Sequence, residues 1–288
     1  MILRLEQVAY TYEAGTPMET EALKPLSLTV KSGEILALIG STGSGKSTLI
    51  QMMNGLNRPM SGKVFLDDQD IFAEGYDRRQ LRSRVGLVFQ YPEYQLFESD
   101  ILKDICFGPK NQGLDEETCL KRARAAMAAV GLGPEYETRS PFDLSGGEKR
   151  RAAIAGVLAM EPGILVVDEP VAGLDPEGRE ELLAEFRRLR EEKGMGIVIV
   201  SHSMDDVASL ADRIIVLSSG EAVMTGTPRE IFARGDELTG LGLALPAVTR
   251  ILIRLKEKGV PVNTDALTVE EAEAEILRVL SASDDQKK

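Results

Sequence analysis

Residues Gly40-Ser41-Thr42-Gly43-Ser44-Gly45-Lys46-Ser47, entered from the apolar run 35–39 and followed at once by Thr48-Leu49-Ile50, decide the fold. The run Ile-Leu-Ala-Leu-Ile has the length and character of a buried parallel strand, and the residues from Lys46 onward begin a helix. Gly, four residues, Gly-Lys-Ser in a strand-to-helix context is the P-loop pattern. Its glycines let backbone N–H groups curl around phosphates, and the helix N-terminus adds the positive end of its dipole. Lys46 then reaches the β- and γ-phosphates of a nucleotide, with the Ser47 hydroxyl on Mg²⁺. A plain Gly/Ser connecting loop would not need Lys-Ser at the helix start.

Further apolar runs at 85–89, 164–167, 197–200 and 214–217 are separated by helix-patterned stretches. This alternation predicts an α/β fold of the P-loop NTPase class with a mostly parallel sheet. Asp175 is a good N-cap with Pro176 at the first helical position and Gly194 where a C-terminal glycine belongs. A second helix is expected over 115–130, stopping at Gly131. Between Gln90 and about Met160 strand patterning disappears, so a helical subdomain (about 91–160) is inserted into a domain spanning 1–234. Residues 235–288 form a C-terminal extension. There the Gly-rich segment 235–242 reads as a linker, helices follow near 247–258 and 269–280, Thr268 and Glu271 fit a capping box, and 281–288 read as a frayed tail.

Ligands of open parallel sheets sit beyond the carboxyl ends of the strands, where several of these runs meet polar residues. Asp168 suits a carboxylate completing the Mg²⁺ shell opposite Ser47, and Glu169 can polarise an attacking water. Acidic residues after strands also serve as helix caps, but Pro170 follows immediately. His202, the only histidine, follows the run 197–200 and is placed to touch a γ-phosphate. Gln90 ends the run 85–89.

The composition restricts the partners. The chain has 288 residues, 43% hydrophobic, and a net charge of −12, which argues against a nucleic-acid surface built on clustered Lys and Arg. Cys106 and Cys119 have no metal-ligand spacing, and a reducing cytoplasm fits them. No apolar run approaches the roughly 18 residues of a membrane span, so membrane contact would go through another protein.

Leu144-Ser145-Gly146-Gly147-Glu148 precedes a basic helical stretch beginning Lys149-Arg150-Arg151. Locally, Ser145 and Glu148 form a capping box. Gly146 and Gly147 also leave backbone N–H groups at a helix N-terminus, a second anion site that one nucleotide does not need. With Tyr12, the P-loop, Gln90, Asp168-Glu169, Gly173-Leu174-Asp175 and His202 in this order, the chain resembles the ATP-binding cassette (ABC) ATPases over about residues 1–233. The resemblance implies ATP and Mg²⁺ as cofactors, with Gly40, Ser41, Thr42, Gly43, Ser44, Gly45, Lys46, Ser47 and Thr48 around the phosphates. It implies Ser47, Gln90 and Asp168 as metal ligands, and Glu169, His202, Gln90 and Lys46 as catalytic groups. It further implies Tyr12 stacking on adenine, Asp175 communicating across a dimer, and Ser145, Gly146, Gly147 and Glu148 acting on a partner's nucleotide. Tyr10 competes with Tyr12, and Asp175 caps its helix whatever else it does. Two departures stand out: Glu148 where Gln is usual, adding a negative charge near a partner's γ-phosphate, and Val171 where Thr is common.

The segment Tyr91-Pro92-Glu93-Tyr94-Gln95-Leu96-Phe97 and the stretch Asp104 to Asn111 are similar to the ATPases of energy-coupling factor transporters, bacterial importers of vitamins and transition-metal ions. That likeness implies a Leu96/Phe97 surface receiving coupling helices of a transmembrane subunit, a substrate-binding membrane subunit, and a second ATPase subunit, as heterodimer or homodimer. Phe142-Asp143-Leu144 and Lys149-Arg150-Arg151 look like the second member of a heterodimeric pair. The place implied is the cytoplasmic face of the cell membrane. The alternative, a soluble ABC ATPase of DNA repair or ribosomes, needs a long coiled-coil insertion or two cassettes in one chain, and neither is visible.

Overall fold

The structure, a computed structural model, describes residues 1–285. The chain opens with β1 (Ile2–Tyr12) and β2 (Thr20–Lys31), paired antiparallel. Neither reads as an apolar run, because each has one wet face: in β1, Leu3, Leu5 and Val8 are buried while Ile2, Glu6 and Gln7 are exposed. A bulge at Gln7, with φ +47°, shifts the register between Leu5 and Val8 and breaks the alternation. Next, β3 (Ile35–Gly40) is buried at every position and leads into α1 (Lys46–Met53). The strands β4 (Ser61–Leu66) and β5 (Gln69–Asp70) complete a four-stranded sheet in the order β2-β1-β4-β5. α2 (Arg78–Arg84), capped by Asp77, then delivers β6 (Val85–Val88).

The inserted subdomain is helical, as expected. It holds α3 (Ile101–Asn111), α4 (Glu116–Ala129) and α5 (Gly146–Leu158), with 3₁₀ turns at Pro92–Gln95, Pro134–Tyr136 and Pro141–Asp143. Small residues let its helices approach closely: Ala123 and Ala126 of α4 and Ala152 and Ala155 of α5 are buried in one cluster with Ile105 and Met127. Asp115 caps α4, and Gly131 follows it with φ +72°.

The chain returns as β7 (Ile164–Asp168), α6 (Pro176–Lys193), β8 (Gly196–Val200), α7 (Met204–Leu210), β9 (Arg213–Ser218), β10 (Glu221–Gly226) and α8 (Pro228–Phe232). A six-stranded sheet results, ordered β10-β9-β3-β8-β7-β6, parallel except for β10. Alternate side chains of its inner strands enter different cores. Leu165, Val167, Ile197 and Ile199 pack with the helical subdomain and α6, while Ile164, Val166, Val198 and Val200 pack with α1 and the antiparallel sheet. Burial on both faces is why these strands read as unbroken apolar runs.

The C-terminal region corrects two expectations. Residues 235–242 are not an extended linker: Gly235–Gly240 form a short helix, α9, whose Leu238 is buried in one core with Phe232 of α8. The burial of Leu238 and the acidic first turn of Asp236 and Glu237 outweigh the glycines at either end. α10 (Ala247–Glu257) follows as expected, and α11 (Val269–Asp285) runs beyond the expected end into the stretch read as frayed, of which residues 286–288 lie outside the described residues. α10 and α11 share a small core of Leu252, Val262, Ala266, Ala272 and Val279. Contacts from Asp205 to the Ala247 N–H and from Arg229 to Glu271 dock them on α7 and α8. Thr268 accepts from the Glu271 N–H at 3.3 Å, whereas the Glu271 carboxylate reaches back to the Leu267 N–H at 2.8 Å.

Candidate functional site

Sheet order assembles the site. Because β3, β8, β7 and β6 are neighbours and parallel, their carboxyl ends place Gly40, Ser201-His202, Asp168-Glu169 and Gln90 along one edge. These residues are far apart in the chain, and only this strand order makes them adjacent.

The loop between β3 and α1 requires its glycines by contact. A Cβ on Gly40 would lie 2.2 Å from the Leu217 carbonyl oxygen, and one on Gly45 (φ +100°) 2.5 Å from the Ala22 oxygen. Gly45 starts α1 without a side-chain cap, so no side chain competes for the first N–H groups of the helix. Lys46 is 7% exposed, and its ammonium donates to the carbonyls of Gly40 at 2.8 Å and Ser41 at 2.9 Å. Burial lowers its pKa, opposed by the charges of Asp168 and Glu169.

Across the loop, the Ser47 hydroxyl donates to Asp168 Oδ2 at 3.4 Å. Asp168 is buried, and desolvation raises its pKa against the pull of Ser47 and Lys46. Glu169 adopts φ +51°, a left-handed conformation costly for a non-glycine residue, and its N–H donates to the Val200 carbonyl at 3.0 Å. Glu169 Oε1 lies 3.5 Å from His202 Nε2 and has no hydrogen bond of its own. Burial first, then the charge of Asp168, pushes the Glu169 carboxyl up to about 7. His202 is half exposed, and burial followed by the Lys46 charge lowers its pKa. A partly buried carboxylate poised near neutrality beside the glycine loop is equipped to take up a proton.

Tyr12 is 40% exposed and its hydroxyl shares a 3.0 Å hydrogen bond with Thr48 at the start of α1, whereas Tyr10 packs against the core with its ring edge-on to Tyr12. Gln90 is exposed, just beyond β6. Asp175 caps α6, accepting from the Gly178 N–H at 3.1 Å. Ser145, Gly146, Gly147 and Glu148 form the N-terminus of α5, in the helical subdomain. No hydrogen bond or ion pair among the described residues joins them to the phosphate loop. The capping box is present: the Ser145 N–H donates to Glu148 Oε2 at 2.7 Å, and the Glu148 N–H to Ser145 Oγ at 3.3 Å.

The donor set fits Mg²⁺. Ser47 and Asp168 offer hard oxygens face to face, and no cluster of three or more His, Cys, Asp or Glu able to hold a metal exists among the described residues. Mg²⁺ is commonly held this way, by one or two protein oxygens together with substrate phosphates.

Comparisons with known proteins agree with this geometry. The family model described as ABC transporter matches residues 23–172. The energy-coupling factor transporter ATP-binding protein EcfA2 of Clostridium acetobutylicum is 50% identical, with 98% of this chain and 99% of that protein covered. The chain belongs to the ABC transporter family. Its relatives place it among the ATP-binding proteins of energy-coupling factor transporters; that of Listeria monocytogenes is 48% identical over 98% of this chain and 99% of its own length. Among solved structures, cbiO1 of Clostridium perfringens, part of the ABC transporter complex cbiONQ, superposes with a TM-score of 0.74 at 35% identity, covering 89% of this chain and 96% of that one. The dimeric cassette MJ0796 bound to ADP and Pi gives a TM-score of 0.70 at 29% identity, covering 78% and 98%.

Within this ABC cassette, two side-chain links escaped the sequence reading. The Arg150 guanidinium, 5% exposed, contacts the Glu93 carboxylate at 3.4 Å, tying α5 to the 3₁₀ turn after Gln90. Its signal was available: Arg150, Ile154 and Leu158 recur at four-residue spacing on the buried face of α5. Tyr136 donates to Glu148 Oε1 at 2.7 Å, and no spacing announces that contact. Hydrogen bonds from Tyr136 and then from the Ser145 N–H hold the Glu148 carboxyl down at about 2.

Proposed function

We propose that this chain hydrolyses ATP to drive an energy-coupling factor transporter that imports vitamins or transition-metal ions. The observation supporting hydrolysis is the Glu169 carboxylate, strained in backbone, partly buried and near neutrality, beside the Ser47–Asp168 pair and His202. Backbone N–H groups of residues 40–48 cradle the phosphates, and the Lys46 ammonium neutralises charge on the β- and γ-phosphates. Tyr12, partly exposed beside Thr48, stacks on adenine. Ser47, Asp168 and Gln90 would hold Mg²⁺, which would supply Lewis-acid polarisation of the phosphoryl oxygens. Glu169 orients the attacking water and takes up its proton, and His202 contacts the γ-phosphate.

The site is half of a whole. Ser145, Gly146, Gly147 and Glu148 close over the nucleotide of a second ATPase subunit, and Asp175 carries the closed state across the dimer. The extension from residue 235 helps hold the pair together. A groove of about 600 Å³ lined by Leu96, Phe97, Phe107, Gly108 and Met160 supports docking of a transmembrane coupling subunit, itself joined to a substrate-binding membrane subunit. Asp104 shapes its lip by accepting from the N–H groups of Phe97 and Glu98, both at 2.8 Å. No helix among the described residues is long and apolar enough to cross a membrane. In this reading the chain works at the cytoplasmic face through these partners, without nucleic acid.

Glu169→Gln is expected to lower ATP turnover by about 10²–10⁴-fold while ATP-dependent association of subunits persists. Turnover near wild type would remove Glu169 as the base. Purification from native membranes is expected to bring a polytopic protein and a second ATPase; recovery of nucleic acid or ribosomes alone would sink the transporter reading.

A further inference from the structure

The signature segment poses an electrostatic problem that its backbone alone does not solve. The N–H groups of Gly146 and Gly147 donate to nothing among the described residues, while Ser145 Oγ accepts from the Glu148 N–H and its hydroxyl also faces the Glu148 carboxylate. The two glycine N–H groups are anion-binding donors at a helix N-terminus. Glu148 sits at the third position of the same turn, and a free carboxylate there would oppose any incoming phosphate.

The carboxylate is not free. One oxygen takes the Ser145 N–H at 2.7 Å; the other takes the Tyr136 hydroxyl at 2.7 Å and lies 4.0 Å from the Arg139 guanidinium. Tyr136 is itself anchored. Its ring packs against the helical-subdomain core, Arg139 lies over it at 5.0 Å, and its 3₁₀ turn starts with Pro134. Each Glu148 oxygen is thus turned toward a donor of this chain.

We propose that Tyr136 is a positioning residue of the signature loop, holding the Glu148 carboxylate within the helical subdomain so that the α5 N-terminus meets a partner's nucleotide with its donors unopposed. This rests on the reading of residues 145–148 as the half-site for that nucleotide. Tyr136 offsets the Glu148 departure: a Gln could keep the capping box without a charge to restrain, whereas Glu requires a hydroxyl and a nearby guanidinium.

The test is a double-mutant cycle on ATP turnover of the assembled transporter complex. Tyr136→Phe, which removes a hydrogen bond to a charged group, is expected to lower turnover about tenfold. In the Glu148→Gln background the same substitution is expected to cost less than threefold, because no charge remains to be held. A merely structural tyrosine would cost the same in both backgrounds. Tyr136→Phe retaining more than a third of wild-type turnover, or a loss above threefold in the Glu148→Gln background, overturns the proposal. Ser145→Arg serves as the control for the underlying reading: unchanged turnover in that variant removes the half-site itself, whereas its loss alongside a silent Tyr136→Phe removes only the clamp.

Discussion

The phosphate loop and the signature loop are both glycine-rich helix N-termini, yet they are held in different ways. At the phosphate loop the backbone is boxed in: a Cβ on Gly40 would strike the Leu217 carbonyl oxygen at 2.2 Å, and Lys46 is buried. At the signature loop a Cβ on Gly146 would meet nothing within 4 Å, and Ser145 and Gly146 are exposed. There the restraint comes from side chains, through the capping box and Tyr136. On the proposed reading of a composite site, the difference teaches that the half gripping its own ligand is built into the sheet, while the half offered to a partner is left at the surface.

The largest expected effects test whether the halves are separable. Lys46→Ala should weaken ATP binding by the isolated chain about a hundredfold, through loss of charge-assisted hydrogen bonds to phosphate. Ser145→Arg should leave that affinity within error while abolishing turnover of the complex; equal loss of affinity in a nucleotide titration would break the comparison.

Next in size is stability. Gly40→Ala, forced against backbone, should destabilise the chain by about 2–3 kcal/mol in urea unfolding, whereas Gly146→Ala should be neutral or stabilising by about 0.5–1 kcal/mol. Similar losses in both would show that the two loops are equally constrained.

Smaller effects come from the two perturbed glutamates, whose pH dependences have opposite signs. The Glu169 pKa is raised from near 4.5 to about 7, so its ionised form is disfavoured by folding. That cost sets in above pH 4.5 and is complete above 7. Glu169→Gln should therefore raise the Tm by roughly 4 °C at pH 8 and by less at pH 5. The Glu148 pKa is depressed from near 4.5 to about 2, so its contribution is present above 4.5 and lost as pH falls toward 2. Wild type should exceed Glu148→Gln by roughly 1–2 °C at pH 6, with the gap narrowing by pH 3 in thermal melts. A constant gap would mean that the clamp does not act through charge.

Legibility followed burial. Strands buried on both faces announced themselves, so β3, β6, β7, β8 and β9 were readable to within two residues at their ends. The antiparallel sheet was not, because β1 alternates between core and solvent and is interrupted by the Gln7 bulge, while β5 is only two residues long. Residues 235–242 were misread because glycines at both ends suggest a linker, and only the core into which Leu238 drops shows otherwise. Among site residues, Lys46 and Ser47 were legible because their geometry is local. The 3.5 Å approach of His202 to Glu169 depends on β8 lying beside β7.

By itself the sequence determined the features whose physics is local: a strand, a glycine turn and a helix N-terminus with free N–H groups suited to phosphate, and a capping box at Ser145 and Glu148. Tertiary structure decided how distant charges meet. It set Asp168 against Ser47, partly buried Glu169 beside Asp168 so that its pKa rose toward neutrality, and placed the Tyr136 hydroxyl on the Glu148 carboxylate. Local dihedral preferences and hydrogen bonds act within a few residues of the chain. Desolvation and the pairing of charges depend on which surfaces the fold brings into contact.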